Sequence, residues 1–191
     1  MKGILFKPDM HKAIREGRKT VTRRIIKPQP PVNNLPKFNG AFSVCGKDYK
    51  PRYQVGDIVY IREAYMVNKE YDHLKPSEIP EIGRKVAIWY YADGNHYADK
   101  VNEGAGKVRS PLFMPAWAAR DFIQITGVRA ERLQEITEED AVAEGIKSDP
   151  TIAIYEYSRV WDSINKDYPW ASNPWIFRYE FKRVDKPPPL V

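Results

Sequence analysis

The sequence predicts an α+β fold in a single domain, and three observations carry that reading. Short runs rich in β-branched and aromatic residues recur at Ile58 to Glu63, Val86 to Tyr91, Phe122 to Leu133 and Trp175 to Val184. Between the apolar runs are scattered 16 prolines and 11 glycines, enough turn formers to keep most elements short. Fewer stretches carry helical signals: Asp9 to Gly17, Thr137 to Gly145 and Thr151 to Ile164. The 191 residues, 42% hydrophobic and 29% charged, suffice for one substantial core and exclude wholesale disorder.

In chain order, Gly3 to Phe6 reads as a first strand. Asp9 is an expected helix N-cap, with Met10, Ala13 and Ile14 on one face and Gly17 as the stop. Thr20 to Ile26 is β-branched and reads as a strand, with Thr22 and Arg24 on one face and Val21, Arg23 and Ile25 on the other. Lys27 to Tyr53, rich in Pro and Asn, reads as a long surface loop, and Tyr65 to Arg84 as irregular. Asp93-Gly94-Asn95 reads as a turn, and Ser110 to Arg120 as an apolar connector packed on the body. Thr137 is a helix N-cap with Asp140 at the third position and Ile136 stapled against Ala141. In the last helix Ile154, Tyr157, Val160 or Trp161, and Ile164 are expected inward. Trp175 to Val184 alternates like a closing strand, and residues 186–191, with three consecutive prolines, read as a flexible tail.

Charge is concentrated at one end. Residues 1–30 hold nine basic side chains against Asp9 and Glu16, a local +7, while the whole chain is +6. The other 161 residues therefore sum to −1 (22 basic, 23 acidic), so the basicity is a local feature suited to phosphate or another anion. One cysteine, Cys45, allows no internal disulfide and fits a reducing, cytoplasmic setting. The opening apolar stretch is too short for a signal peptide and no run approaches membrane-spanning length. His11, His73 and His96 lie far apart without ligand spacing, so neither a histidine-rich metal site nor any cofactor is expected. Glu103 to Lys107 lacks the first glycine and the final Ser/Thr of a phosphate loop.

Two places invite chemistry. Lys19 and Thr22 form a candidate base and nucleophile: a threonine hydroxyl needs a base, and lysine serves only with a lowered pKa, which Arg18, Arg23 and Arg24 would promote. Those arginines could also hold phosphate or a developing oxyanion. Composition alone favours reading the same residues as a solvated strand edge that resists aggregation. Glu144 stands immediately before the presumed stop at Gly145, where a negative charge opposes the helix dipole, and this hints at a distant cationic partner, although a surface accident fits as well. Trp89 and Tyr91 share a strand face and, with Arg62, offer stacking and charge of the kind that holds single-stranded nucleic acid.

The spacing Gly17-x-Lys19-x-x-Thr22-x-Arg24 resembles the signature of the ASCH domain family, whose fold is a small β-barrel similar to PUA RNA-binding domains. Val55-Gly56-Asp57-Ile58-Val59, Ile136 to Ala141 and Trp175 to Val184 resemble further family elements. Met114-Pro115-x-Trp117-Ala118-x-Arg120, together with the chain length, resembles longer members carried by phages. The resemblance implies one PUA-like domain over 1–185, with flanking helices and insertions at about 27–53 and 65–120. Small members include amidohydrolases of N4-acetylcytidine that use a lysine, a threonine and a glutamate. By motif position those roles fall on Lys19, Thr22 and Glu144. The implied partner is RNA or a modified nucleoside, bound with help from Arg18, Arg23, Arg24, Arg62, Trp89 and Tyr91. The alternatives are an RNA-binding module without turnover, a ribonuclease, and a phage-encoded protein-interaction module.

Overall fold

A computed structural model describes residues 1–32, 38–80, 86–93 and 104–188. The chain forms two units, Met1–His11 with Ile58–Ile123 and Val184–Val191, and Lys12–Asp57 with Gln124–Arg183. Lys2–Leu5 is β1 and Pro8–Arg15 is α1. The helix starts one residue before the expected cap at Asp9, because Pro8 has no N–H to leave unsatisfied in the first turn. It ends at Arg15, and the chain turns away at Gly17, whose φ of +73° suits glycine. Val21–Ile25 is β2. The expected loop at 27–53 contains three short strands, β3 (Phe38–Asn39), β4 (Phe42–Val44) and β5 (Lys47–Tyr49). β4 and β5 form a hairpin around Cys45 and Gly46, both at positive φ.

Ile58–Arg62 is β6, Tyr65–Val67 is β7 and Ile88–Tyr90 is β8. Phe122–Arg132 is one long strand, β9. Glu138–Ala143 is α2, Ala153–Ile164 is α3 and Trp175–Val184 is β10. The Thr137 side chain accepts from the Asp140 N–H at 3.2 Å, as the capping pattern predicts. The Asp93 to Asn95 turn and the end of the tail fall at least partly outside the described residues.

In the first unit β1 runs parallel to β6, with Ile4 opposite Ile61, and β7 pairs antiparallel with β8. Its core gathers Tyr60, Tyr65, Val67, Ile79, Met114, Ala118, Ala119 and Phe122. In the second unit β10 pairs antiparallel with β2, placing Tyr179 opposite Thr22 and Arg178 opposite Arg23, and β3 pairs with β9. Phe42 stacks on Tyr49 with ring centroids 5.0 Å apart, so the Pro- and Asn-rich stretch contributes to the core. Of the expected inward face of α3, Tyr157 and Trp161 are buried, while Ile164, at the helix end, is half exposed.

β9 begins in the first unit and continues into the second, which gives the strand order β1-β6-β9-β10-β2. The architecture is therefore mixed α+β around a sheet whose path runs through five strands, with β3 paired to β9 off that path, and among the described residues no strand pairing closes that sheet into a barrel. No helix among the described residues is long and apolar enough to cross a membrane.

Candidate functional site

Lys19 enters the second unit from the turn after α1, and Glu144 caps α2. Their backbones form an isolated antiparallel bridge, and Thr20 N–H donates to Ala143 O at 2.9 Å, which locks the two segments together. The Lys19 ammonium then donates to Glu144 Oε2 at 2.5 Å, Glu144 O at 2.7 Å and Val21 O at 2.8 Å. These three acceptors hold the ammonium at the bridge between the two segments. Gly145 makes the approach possible. Its φ is +91°, and a Cβ there would lie 3.0 Å from the Cβ atoms of both Ala13 and Lys19.

Glu144 has further partners. Arg23 NH1 donates to its Oε1 at 3.2 Å and the Tyr157 hydroxyl donates to the same oxygen at 3.3 Å. The other Arg23 nitrogen, NH2, reaches Asp140 Oδ2 at 2.6 Å and Glu131 Oε1 at 3.1 Å. Arg178 closes the network on Asp140 Oδ1 at 2.7 Å, and Arg129 on Glu131 Oε2 at 2.5 Å. Lys19, Thr22, Arg23 and Glu144 are each about 3% exposed. Buried charge at this density persists only when nearly every donor and acceptor is matched.

Burial pulls the Lys19 ammonium below its ordinary pKa; Glu144 opposes that shift, and Arg24 and Arg23 reinforce it. Burial and the Glu144 charge hold the Tyr157 hydroxyl well above its ordinary value, so it remains a donor. For Asp140, burial acts upward, but the Arg178 hydrogen bond and the Arg23 charge outweigh it and lower the pKa.

The structure brings Lys19, Thr22, Arg23 and Glu144 into one unit. Arg23, expected to face a ligand, is instead enclosed by carboxylates, because both faces of β2 are covered at this point and an isolated guanidinium could not remain there. Arg18 keeps a partly exposed side chain, pairs with Glu16 and donates to Gly145 O at 3.2 Å, and Arg24 is half-buried. Arg62, Trp89 and Tyr91 belong to the other unit. There Arg62 donates to Leu112 O at 2.9 Å and to the Tyr60 hydroxyl. Tyr91 lies beyond the end of β8, so it does not extend the strand face of Trp89. Sequence reasoning missed Tyr157 and Glu131 as site members. Glu131 alternates with Val128 and Ala130 in β9, and that pattern could have flagged it as a charged position facing covered space.

The first unit holds a second cluster that the histidine spacing gave no reason to expect. His11, Glu63 and Asp121 come together buried, each offering a possible ligand atom within 4.8 Å of the others.

No protein-family model matches the chain, and no curated protein matches it. Among solved structures, the crystal structure of protein EF3133 from Enterococcus faecalis V583, of the family DUF984, is similar. The two are 12% identical, with 97% of this chain and 82% of that chain covered and a TM-score of 0.43. A likeness at that level assigns neither a family nor a function.

Proposed function

We propose that this chain is an ASCH-type hydrolase of the PUA-like class that cleaves the amide of an acylated nucleobase, N4-acetylcytidine or a close analogue. The observation that carries the reading is the buried contact between Lys19 Nζ and Glu144 Oε2, 2.5 Å across 125 residues of sequence. A lysine serves as a base only when its proton is labile, and burial supplies that condition here. In the reaction Lys19 passes a proton to Glu144 and then takes the proton of the Thr22 hydroxyl. Thr22 Oγ attacks the acetyl carbonyl, and Glu144 returns its proton to the departing amine nitrogen. Water then releases acetate from Thr22. Arg18 and Arg24 supply positive charge for a phosphate or the developing oxyanion. Because the three reacting side chains are buried, a substrate reaches them only after a covering side chain moves.

The test is incubation of the purified chain with N4-acetylcytidine and chromatographic detection of cytidine and acetate. Turnover is expected, and it is lost in Thr22→Ala and Lys19→Ala variants shown by circular dichroism to be folded. No turnover of acylated nucleosides by the folded wild type, or full turnover in Thr22→Ala, refutes the reading. The +7 charge of residues 1–30 favours a second reading, RNA binding without turnover. RNA affinity that falls steeply with salt, in the absence of hydrolysis, selects it.

A further inference from the structure

We propose that His11, Glu63 and Asp121 form a binding site for a first-row divalent cation, for which zinc is the natural probe. This inference is independent of the hydrolase reading, since all three residues lie in the first unit. His11 sits in α1, Glu63 follows β6 directly and Asp121 directly precedes β9. They are 4%, 7% and 2% exposed, and their candidate ligand atoms lie within 4.8 Å of one another.

The geometry suits an ion bound between them. His11 Nε2 lies 3.0 Å from Asp121 Oδ2, and His11 Nδ1 lies 3.8 Å from Glu63 Oε2. An ion with ligands ~2.1 Å away has neighbouring ligands ~3.0 Å apart in an octahedron and ~3.4 Å apart in a tetrahedron. The His11 Nε2 to Asp121 Oδ2 separation therefore matches a ligand edge, and an ion there replaces their hydrogen bond once the carboxylate swings off the Nε2 axis; Glu63, which faces the other ring nitrogen, joins when its carboxylate or the ring turns. One imidazole nitrogen with two carboxylates is a donor set for zinc, manganese, cobalt or iron(II). Magnesium and calcium prefer oxygen alone, and copper(I) prefers sulfur.

The surroundings are organised as those of metal ligands usually are. Arg120 grips Glu63 with a fork, Nε to Oε1 at 2.8 Å and NH2 to Oε2 at 2.9 Å. Arg120 is itself held by Asp93 and lies 3.8 Å over the Tyr90 ring. The Asp121 carbonyl accepts from Ile61 N–H at 2.9 Å, which fixes its backbone against β6. Met114, almost fully buried, approaches Glu63 N–H with its sulfur at 3.3 Å and keeps that side apolar.

The experiment uses the full chain, stripped with a chelator and titrated with zinc chloride by calorimetry, with cobalt(II) chloride as a spectroscopic substitute. One ion per chain is expected, together with a rise in melting temperature and ligand-field bands on cobalt addition. His73→Asn keeps this binding. Asp121→Asn loses affinity by more than the ~10–100-fold that removal of an outer partner costs, and Arg120→Lys, which removes such a partner, falls within that range. Should Asp121→Asn fail to fold, the imidazole nitrogen resonances of the wild type decide instead: zinc shifts those of His11 and leaves those of His73 in place. A wild type that takes up neither zinc nor cobalt overturns the proposal. So does an ion that leaves the His11 resonances unmoved, or binding that persists undiminished in folded Asp121→Asn.

Discussion

Replacing Glu144 with glutamine tests the electrostatics of the site most directly. The carboxylate accepts from donors on both sides, Lys19 on Oε2 and Arg23 with Tyr157 on Oε1. An amide has one oxygen and one NH2, so either orientation turns a donor toward a donor. Breaking a buried ion pair costs ~3–5 kcal/mol. Arg23 keeps Glu131 and Asp140, so the burden falls on Lys19. Lys19 has an escape: it can lose its proton. Against an unfolded-state pKa of ~10.4, neutralising it at pH 7 costs ~3.4 units of ~1.36 kcal/mol, or ~4.6 kcal/mol, which caps its share of the penalty. At pH 9 the cap is ~1.9 kcal/mol. The sign follows from linkage. The folded variant binds one proton fewer than its unfolded chain, so its stability rises with pH through this window. The expected result is a loss of ~3–5 kcal/mol at pH 7 that shrinks by up to ~2.7 kcal/mol at pH 9. Urea unfolding followed by tryptophan fluorescence measures both, with Trp161 and Trp175 as buried reporters. A loss below ~1 kcal/mol at pH 7, or one identical at the two pH values, refutes the reasoning. The double variant Lys19→Met with Glu144→Gln removes the pH dependence if Lys19 is its source.

Gly145→Ala forces a left-handed alanine at a cost of ~1–2 kcal/mol and adds a Cβ 3.0 Å from Ala13 and Lys19, so a melting-temperature drop of at least ~2–4 °C is expected by calorimetry. Asp140→Asn removes an acid whose folded pKa is lowered. Its stabilisation is present above the unfolded value of ~3.9 and is lost as pH falls through the lowered folded value, so the stability gap to the wild type, measured by denaturant titration, closes in acid.

The parts of the fold that could be read from the sequence are those written in local chemistry. The Thr137 cap, the glycine stops at 17 and 145, and the strand at Trp175–Val184 each depend on a few neighbours and stand where those neighbours place them, although the first five residues of β10 are all buried rather than alternating. The strands β3, β4 and β5 were hidden because two or three residues are too few for alternation to show, and Pro and Asn around them signal a loop. Arg23 was misplaced for a different reason. A period of two separates the faces of β2 but does not reveal that both are covered, nor that Glu131 and Asp140, more than 100 residues away, are there to receive a guanidinium. His11 was passed over because a spacing rule looks for ligands near one another, whereas its partners are lone carboxylates at the ends of remote strands.

Glu144 shows how an apparent local error carries long-range information. A carboxylate at the C-terminal end of a helix opposes the dipole, and as a surface group it would cost a few tenths of a kcal/mol, up to ~1 kcal/mol. In place it is offset by three donors with distinct tasks. Arg23 and Tyr157 hold Oε1 and fix the plane of the carboxylate, which leaves Oε2 directed at Lys19. Removing Arg23 would therefore loosen the orientation while sparing the Lys19 contact, whereas removing Lys19 would spare the orientation and eliminate the labile proton. If the pair is chemical, the two losses separate: Lys19→Ala abolishes turnover, while Tyr157→Phe, which deletes only one oxygen, lowers it and leaves N4-acetylcytidine binding intact. If the pair serves stability alone, both variants change the melting temperature and neither has a turnover to change.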